Sequence, residues 1–279
     1  MTDLLPGRVA VVTGGASGNG RAIALAMAAQ GASALVVADL QETPREGGTP
    51  THELIRQRTG ANAIFVRCDV SVPAEVASAI DRAETFGGVD VLVNNAGIFR
   101  SKDFFEVSET DYATMMDVNV KGTFFATQAA ARSMARRGRG AIINIGSISA
   151  LAGAASYSTY CASKGAVRLL TQALAAALGP LGIRVNMVCP GLVQTVMTTD
   201  DVPIFGTEAG DAIAGVTPLA HTGTPQDIAD TVVYLASDLA QWVSGSVLVL
   251  DGGRTSTLPG GLAKGRGPKT VPACLPGPL

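Results

Sequence analysis

The feature that most constrains the fold is an alternation, from residue 8 to about residue 253, of short β-branched apolar runs with longer Ala- and Leu-rich segments. This alternation is typical of βα units arranged around a parallel sheet. The short runs are mostly continuous in apolar character, as expected of strands that are buried on both faces. Seven strands are predicted in one sheet, at residues 9–13, 34–39, 63–69, 89–94, 141–147, 184–189 and 246–251.

The segments between these strands have the composition of helices, and Pro73 and Pro225 are suited to first helical turns. The predicted helices cover residues 18–30, 51–59, 73–86, 111–137, 156–178 and 225–237. The repeating unit continues without a break in composition, so one domain fits the 279 residues better than the two that length alone would permit. We therefore predict a single doubly wound α/β domain over residues 1–253.

Two segments depart from the repeating unit. Residues 192–223 form a long connection rich in Thr, Gly and apolar residues, and connections of this length in compact domains are usually lids or binding loops. Residues 254–279 contain five Pro and five Gly, a composition that continues neither a helix nor a central strand. We predict a substrate lid at 192–223 and a C-terminal extension at 254–279, which either lies on the surface or crosses to a neighbouring subunit.

Composition argues against several classes of partner. The formal charge of -2, from 21 Lys and Arg against 23 Asp and Glu, provides no global positive field for nucleic acid or an anionic membrane. No apolar run approaches the ~20 residues that cross a bilayer. Four scattered cysteines and two histidines indicate neither a zinc site nor a disulfide framework. We expect no nucleic-acid or membrane partner, no metal, and a cytoplasmic location.

A glycine-rich turn joins the first predicted strand to the first predicted helix, with Gly14, Gly18 and Gly20 at its key positions. Glycines let the backbone approach a diphosphate, whose charge is met by backbone N–H groups and by the helix dipole. The turn alone is weak evidence, but Asp39 closes the second strand 19 residues after Gly20, as in dinucleotide-binding units. A dinucleotide cofactor is therefore predicted.

Asp39 indicates which dinucleotide is bound. Its carboxylate would accept hydrogen bonds from the adenosine ribose diol and would repel a 2′-phosphate. Arg21 is the only Arg or Lys between Gly14 and Asp39. NAD is therefore predicted in preference to NADP, although Asp39 could instead cap the loop that follows it.

Further cofactor contacts are predicted where the third and fourth strands end. A ligand that lies along the carboxyl edge of a parallel sheet passes these positions. The residues concerned are Asp69, Val70, Asn95, Ala96 and Gly97. Asp69 is expected at the adenine.

A possible reaction centre follows the fifth strand. Ser147 ends that strand, and Tyr160 and Lys164 share one face of the next helix because they are four residues apart. A free tyrosine has a pKa of ~10, but a cation at ~6 Å in an effective dielectric of ~20 contributes ~2.8 kcal/mol, or ~2 pKa units. We therefore expect Lys164, aided by an oxidised nicotinamide, to lower the pKa of Tyr160 toward neutrality.

Together these motifs resemble those of the short-chain dehydrogenase/reductase family. The resemblance spans about residues 8–253 and rests on Thr13-Gly-x-x-x-Gly-x-Gly20, Asn94-Asn-Ala-Gly97, Asn119, Ser147, Tyr160-x-x-x-Lys164, Pro190-Gly191 and Asp251-Gly-Gly253. It implies a single Rossmann domain, often part of a homotetramer. It also implies hydride transfer between C4 of a nicotinamide and the carbon of a carbonyl or secondary alcohol.

The same resemblance implies roles for individual residues. Tyr160 would be the general acid/base, and Ser147 would hydrogen-bond the substrate oxygen. Lys164 would hold the nicotinamide ribose and tune Tyr160, and Asn119 would support a water in the proton relay. Further cofactor contacts are expected at Ser17, Asn19, Pro190, Gly191, Val193 and Thr195.

Two features depart from the family pattern. Asn19 stands where Ile or Leu usually precedes the last glycine of the turn, so an apolar side chain that packs under the nicotinamide ring is replaced by a polar one. Residues 41–50 are a few positions longer than usual and are expected to form a surface loop.

The substrate is only weakly constrained. Residues 192–230 contain no Lys or Arg, and apolar side chains such as Met197 favour a neutral ketone or secondary alcohol, although they could equally pack the lid onto its own domain. Tyr157 and Met197 are expected to line the substrate site with Ser147 and Tyr160. Two other functions remain open: a non-redox lyase or epimerase, and a regulatory protein that binds NAD as a ligand.

Overall fold

Seven parallel strands form one sheet in the computed structural model, which describes residues 3–257. The strands are β1 (Val9–Thr13), β2 (Ala34–Asp39), β3 (Asn62–Arg67), β4 (Val91–Asn94), β5 (Gly140–Ile145), β6 (Ile183–Pro190) and β7 (Val247–Leu250). Their order is β3-β2-β1-β4-β5-β6-β7, so the winding direction reverses between β1 and β4. The predicted fold class is confirmed, and in such sheets ligands bind at the carboxyl ends of the strands beside the reversal.

The continuous apolar runs follow from burial on both faces of the sheet. All five residues of β1 are buried, and Val11 lies between Val36 of β2 and Leu92 of β4. Because helices cover both faces, successive side chains all enter apolar surroundings although they point in opposite directions.

The described part of the chain contains eight α-helices, six of which pack on the sheet. The eight helices are α1 (Gly18–Ala29), α2 (Thr51–Thr59), α3 (Pro73–Asp81), α4 (Glu109–Met116), α5 (Gly122–Arg137), α6 (Ser158–Leu178), α7 (Glu208–Gly215) and α8 (Pro225–Ala236). Met27 of α1 and Val232 of α8 belong to one core cluster. Val76 of α3 and Ala126 of α5 belong to a second. The two clusters lie on opposite faces of the sheet, as a doubly wound fold requires.

The helix predicted over residues 111–137 is interrupted. α4 ends at Met116, a π-helical turn (Asp117–Lys121) follows, and α5 begins at Gly122. A Cβ atom at Gly122 would lie 2.9 Å from the carbonyl oxygen of Val70, so glycine lets the helix pass close to the loop after β3. The interruption places Asn119 in the π-helical turn, where it is buried.

Other boundaries differ by a few residues. β5 ends at Ile145, so Ser147 lies in the loop beyond the strand rather than at its last position. The helix predicted over 73–86 ends at Asp81 and continues as a 3-10 turn (Arg82–Phe86). The segment 192–223 contains α7 and a π-helical turn (Met197–Asp201) that were not predicted, because Thr and Gly are weak helix formers and obscure the helical period.

The proposed C-terminal extension lies mostly outside the described residues. Its first residues form a 3-10 turn (Arg254–Ser256) directly after β7. Residues 258–279 are not described, so neither predicted course of the extension is tested there.

Candidate active site

The glycine-rich turn adopts the conformation expected of a diphosphate cradle. Gly14 and Gly18 have φ of 62° and 53°, in the left-handed region that favours glycine. A Cβ atom at Gly20 would lie 2.0 Å from the carbonyl oxygen of Gly14, so no other residue fits there without moving the backbone. The turn therefore brings the amino end of α1 close to the carboxyl edge of the sheet.

Asp39 points toward this turn from the end of β2. One carboxylate oxygen accepts a hydrogen bond from the backbone N–H of Ala16 at 2.9 Å, and the other accepts from Leu40 at 2.7 Å. Asp39 thus both faces the turn and caps the following loop, so the two interpretations of this residue are compatible. Burial raises the pKa of Asp39 above its ordinary value, while the backbone donors oppose that shift.

Asn95 ties the end of β4 to the glycine-rich turn. Its Nδ2 donates to the carbonyl oxygens of Thr13 and Gly14, both at 3.0 Å. The backbone N–H groups of Asn95 and Ala96 donate to Thr13 Oγ1 at 3.1 and 3.2 Å. These contacts hold β1 and β4 together at the point where the winding direction reverses.

Asp69 and Val70 lie at the end of β3, away from the central cleft. Asp69 Oδ1 accepts from both the backbone N–H and the hydroxyl of Ser71, at 2.9 and 2.7 Å. Val70 is 8% exposed and packs against Gly122. The adenine contact expected of Asp69 and Val70 stays a prediction.

Ser147, Tyr160 and Lys164 line one cleft of about 500 Å³ above the carboxyl ends of β4, β5 and β6. Lys164 Nζ donates to the carbonyl oxygen of Ile145 at 2.9 Å and lies 5.7 Å from the centre of the Tyr160 ring. Ser147 Oγ accepts from the N–H of Ser149 at 3.1 Å, which leaves its own O–H free to donate. The structure therefore brings these three sequence-predicted residues together.

Burial dominates the protonation behaviour of this group. It raises the pKa of Tyr160 to about 12, against the opposing effect of hydrogen bonding to the Ser147 side chain. It also lowers the pKa of Lys164 to about 8. The expectation that Lys164 lowers the Tyr160 pKa is therefore not met by the protein groups, because burial of the phenolate outweighs the hydrogen bond with Ser147 and the ammonium is not among the groups that lower this pKa.

Asn119 supports the cleft from behind. Its Oδ1 accepts from the N–H of Ile98 at 2.8 Å, and its Nδ2 donates to the carbonyl oxygen of Ile98 and to Ser163 Oγ, both at 3.0 Å. A Cβ atom at Gly97 would lie 3.1 Å from Asn119 Oδ1 and 3.7 Å from Lys164 Nζ. Asn119 thus fixes the loop after β4, and its side chain does not line the cleft.

The segment after β6 forms the opposite wall. Pro190, Gly191, Val193, Thr195 and Met197 all line the cleft. A Cβ atom at Gly191 would lie 2.8 Å from the Cβ of Asp251, so glycine allows the close passage of β6 past the end of β7.

Several residues of the cleft were missed by the sequence analysis. Phe99 packs against the rings of Tyr157 and Tyr160, with ring centres 4.8 and 4.6 Å apart. Its position two residues after the Asn-Asn-Ala-Gly motif was an available signal. Arg254, from the start of the extension, also lines the cleft and brings a cation that the lid sequence lacks. The predicted lid also contributes Leu192, Thr198, Ile204 and Ile213 to the cleft, and the other lining residues that were not predicted include Ile98, Thr255 and Thr257.

Asn19 provides a test of whether a nicotinamide dinucleotide fits. It lines the cleft, and its Oδ1 is buried without a hydrogen-bond partner among the described residues. An unpaired buried acceptor is costly unless a ligand satisfies it. A carboxamide N–H or a ribose hydroxyl is such a donor, so Asn19 and the glycine cradle both fit the cofactor.

Neither a cluster of metal-ligating side chains nor a membrane-spanning helix is found within residues 3–257. No group of three or more His, Cys, Asp or Glu side chains there could hold a metal ion. None of the helices in that range has both the length and the apolar character that a membrane span requires.

Sequence comparisons show extensive similarity to known dehydrogenases. A family model described as enoyl-(acyl carrier protein) reductase matches residues 14–255. The 3-alpha-(or 20-beta)-hydroxysteroid dehydrogenase of Mycobacterium tuberculosis is 42% identical over 261 residues, which cover 92% of this chain and 93% of the relative. The L-rhamnose-1-dehydrogenase of Scheffersomyces stipitis is 37% identical over 258 residues, covering 91% and 98%.

Solved structures give the same picture. A short-chain type dehydrogenase/reductase from Mycobacterium marinum matches with a TM-score of 0.83 and 34% identity, over 91% of this chain and 99% of that one. A gluconate 5-dehydrogenase from Burkholderia cenocepacia, solved with NADP and tartrate, matches with a TM-score of 0.84 and 34% identity, over 92% and 98%.

Proposed function

Because the chain belongs to the short-chain dehydrogenase/reductase family, we propose that it transfers hydride between NAD(H) and the carbon of a secondary alcohol or ketone, with Tyr160 moving the proton. The family and its relatives make the protein an oxidoreductase. The cofactor, the substrate class and the residue roles are the proposal.

The observation that carries the proposal is the shared cleft of Ser147, Tyr160 and Lys164. Burial raises the pKa of Tyr160, which keeps its phenol protonated at neutral pH. A protonated phenol in a cleft can donate its proton to a carbonyl oxygen as that oxygen gains charge. The hydroxyl of Ser147 would hydrogen-bond the same oxygen and fix its position.

Bound NAD would accept a hydride from the carbinol carbon, or NADH would return one to a carbonyl carbon. In alcohol oxidation the phenolate form of Tyr160 would accept the hydroxyl proton at Oη, and in ketone reduction the phenol form would donate that proton to the carbonyl oxygen. Lys164 would hold the nicotinamide ribose, and its charge would stabilise the phenolate form of Tyr160. Asn119 would support a water in the proton relay, and its side chain would hold the Ile98 backbone and the adjacent Gly97 in place.

Binding of the dinucleotide is assigned to the carboxyl edge of the sheet. The glycine-rich turn and the amino end of α1 would meet the diphosphate, and Asp39 would accept from the adenosine ribose. Contacts with the nicotinamide half are proposed for Asn19, Thr195 and the backbone of Val193, which line the cleft. Asp69 and Val70 would lie beside the adenine.

We favour NAD over NADP because a 2′-phosphate would approach the Asp39 carboxylate. Arg45, the first cation after Asp39 in the sequence, is paired with Asp201 at 2.8 Å rather than held toward Asp39. The NADP bound to the gluconate 5-dehydrogenase is a property of that relative.

A neutral substrate fits the lining best. Phe99, Tyr157, Met197, Ile204 and Ile213 make much of the cleft apolar. L-rhamnose and hydroxysteroids, after which two of the relatives are named, are uncharged molecules, whereas the gluconate of the structural neighbour is an anion. Lys164 and Arg254 are the two cations among the described lining residues. Because Lys164 is assigned to the nicotinamide ribose, Arg254 is the cation left for a substrate carboxylate, and an acidic alcohol is the alternative to be tried in the same screen.

We also propose that residues 1–253 form one catalytic domain with a substrate lid at 192–223, assembled as a homotetramer in the cytoplasm. Exposed apolar side chains support an assembly, since Trp242 is 97% exposed and Leu169 68% exposed. The three described cysteines are free thiols, as suits a reducing compartment. Light scattering would give the mass of the assembly directly.

The function is tested by a spectrophotometric screen of cyclic, aryl, sugar and steroid alcohols and their ketones, each with NAD and with NADP. The proposal predicts a change in reduced-nicotinamide absorbance that depends on the substrate and is larger with NAD. Conversion of a substrate with no net change in that absorbance would instead indicate a lyase or epimerase.

A further inference from the structure

Residues 41–50, called the strap below, fold back onto the glycine-rich turn. The predicted surface loop is correct as to exposure, because most of the strap is exposed, but Pro44 within it is buried. The N–H of Gly47 donates to the carbonyl oxygen of Pro44 at 2.9 Å, which closes a four-residue turn. Arg45 and Glu46 are the two central residues of that turn and form the tip of the strap.

Glu46 places a carboxylate at the amino end of α1. Its Oε1 accepts a hydrogen bond from the N–H of Gly18 at 3.0 Å. Ser17, the residue that precedes α1, makes no side-chain cap to its own helix. Its Oγ instead accepts from the N–H of Arg45 at 2.8 Å. The strap therefore supplies the anion that the helix dipole favours at this end.

Arg45 connects the same tip to the substrate lid. Its guanidinium forms two hydrogen bonds with the Asp201 carboxylate, both at 2.8 Å. This pairing raises the pKa of Arg45 and lowers that of Asp201. Asp201 ends the π-helical turn Met197–Asp201, which also contributes to the cleft wall. One residue thus contacts the cofactor turn through its backbone and the lid through its side chain.

From these contacts we infer that the strap is an internal competitor of the cofactor's diphosphate, with Glu46 as the competing anion, and that the Arg45–Asp201 pair couples opening of the strap to movement of the lid. A diphosphate at the amino end of α1 needs the N–H group that Glu46 occupies and would be repelled by its charge. Binding of the dinucleotide therefore displaces the tip and pulls on the lid. This inference rests on the proposed use of NAD.

The first test compares NAD affinity, by calorimetry, in the wild type and in Glu46→Gln. The amide can still accept from Gly18 but lacks the charge, so the dissociation constant for NAD should fall by about two- to fivefold, the size of a charge effect at a helix end. Glu106→Gln, an exposed glutamate in the loop after β4, is the matched control and should leave it unchanged. If Glu46→Gln binds NAD no more tightly than the wild type does, Glu46 does not compete with the diphosphate.

The second test measures amide hydrogen exchange in the cofactor-free protein. Arg45→Ala lies in the strap and should increase exchange in the lid at residues 197–202. Asp201→Asn lies in the lid and should increase exchange in the strap at residues 41–48. The double variant Arg45→Asp with Asp201→Arg exchanges the two charges, and it should return hydrogen exchange in both the lid and the strap to the wild-type rates. Effects confined to the mutated segment would refute the coupling.

The outcomes separate the strap from the proposed function. If the wild type bound neither NAD nor NADP, both the proposed function and the proposed role of the strap would be wrong. If the wild type binds NAD as tightly as Glu46→Gln does, and each substitution changes hydrogen exchange only in its own segment, the proposed role of the strap is wrong while the proposed function stands.

Discussion

Replacing Lys164 with methionine should stabilise the protein while it abolishes activity. Lys164 is 6% exposed, and burial lowers its pKa from 10.5 to about 8. At 1.36 kcal/mol per pKa unit, keeping this lysine charged in the folded protein costs about 3 kcal/mol near neutrality. Lys164→Met removes that cost but also the hydrogen bond to the Ile145 carbonyl oxygen, which is worth about 1 kcal/mol. A net gain of about 2 kcal/mol is expected at pH 7.

The gain should depend on pH in a defined direction. Because the folded-state pKa lies below the unfolded value, the unfolded chain binds more protons between about pH 8 and 10.5. The wild type therefore recovers stability from this group as the pH rises through that window. The advantage of Lys164→Met should shrink to less than about 1 kcal/mol near pH 9.5.

Urea unfolding at fixed protein concentration and at both pH values measures this difference. Lys121→Met is the matched control, since Lys121 is a half-exposed lysine that pairs with Asp117 at 2.7 Å. Lys121→Met should change the free energy of unfolding by no more than about 1 kcal/mol, and this change should vary little with pH. If Lys164→Met were less stable than the wild type by the same amount at both pH values, the reasoning from burial would be wrong.

Three further variants and a pH profile probe the cleft and the cofactor turn. Tyr160→Phe should keep NAD affinity within about threefold and lower turnover by at least ~10²–10⁴, the range of general acid/base catalysis; near-normal turnover would remove Tyr160 from its role. Because burial raises the Tyr160 pKa to about 12, alcohol oxidation should accelerate between about pH 7 and 9 while ketone reduction does not, and the opposite pattern would contradict a phenolic base. Asp39→Asn should weaken NAD binding and improve NADP binding, as measured by calorimetry; an unchanged ratio would assign Asp39 to loop capping only. Gly20→Ala should abolish NAD binding, because its Cβ would lie 2.0 Å from the Gly14 carbonyl oxygen, and normal binding would show that the turn can relax.

The fold was predictable because burial on both sides of a parallel sheet leaves unbroken apolar runs such as Val9–Thr13. The pairing of Tyr160 with Lys164 was predictable because helical spacing alone decides which side chains share a face. The π-helical turn at Asp117–Lys121 was not predicted, and neither was the close approach of Gly122 to Val70 beside it, which is a contact between distant segments.

The electrostatics of the cleft could not be inferred from pairwise charge alone. A distance of ~6 Å between ammonium and phenol was anticipated, and the ammonium lies 5.7 Å from the ring centre. The sign of the Tyr160 shift nevertheless reversed, because burial of the phenolate is a property of the whole surrounding structure. The contact between the strap and the lid could not be predicted either, because Arg45 and Asp201 are 156 residues apart in the sequence.

The proposed chemistry is tested most directly with a secondary alcohol that is a substrate in the screen and carries deuterium on its carbinol carbon. Mass spectrometry of the nicotinamide cofactor after turnover by the wild type should find one deuterium in the reduced form, and Tyr160→Phe should slow its appearance. Product formation with no deuterium in the cofactor, or at equal rates in the two proteins, would contradict hydride transfer assisted by Tyr160.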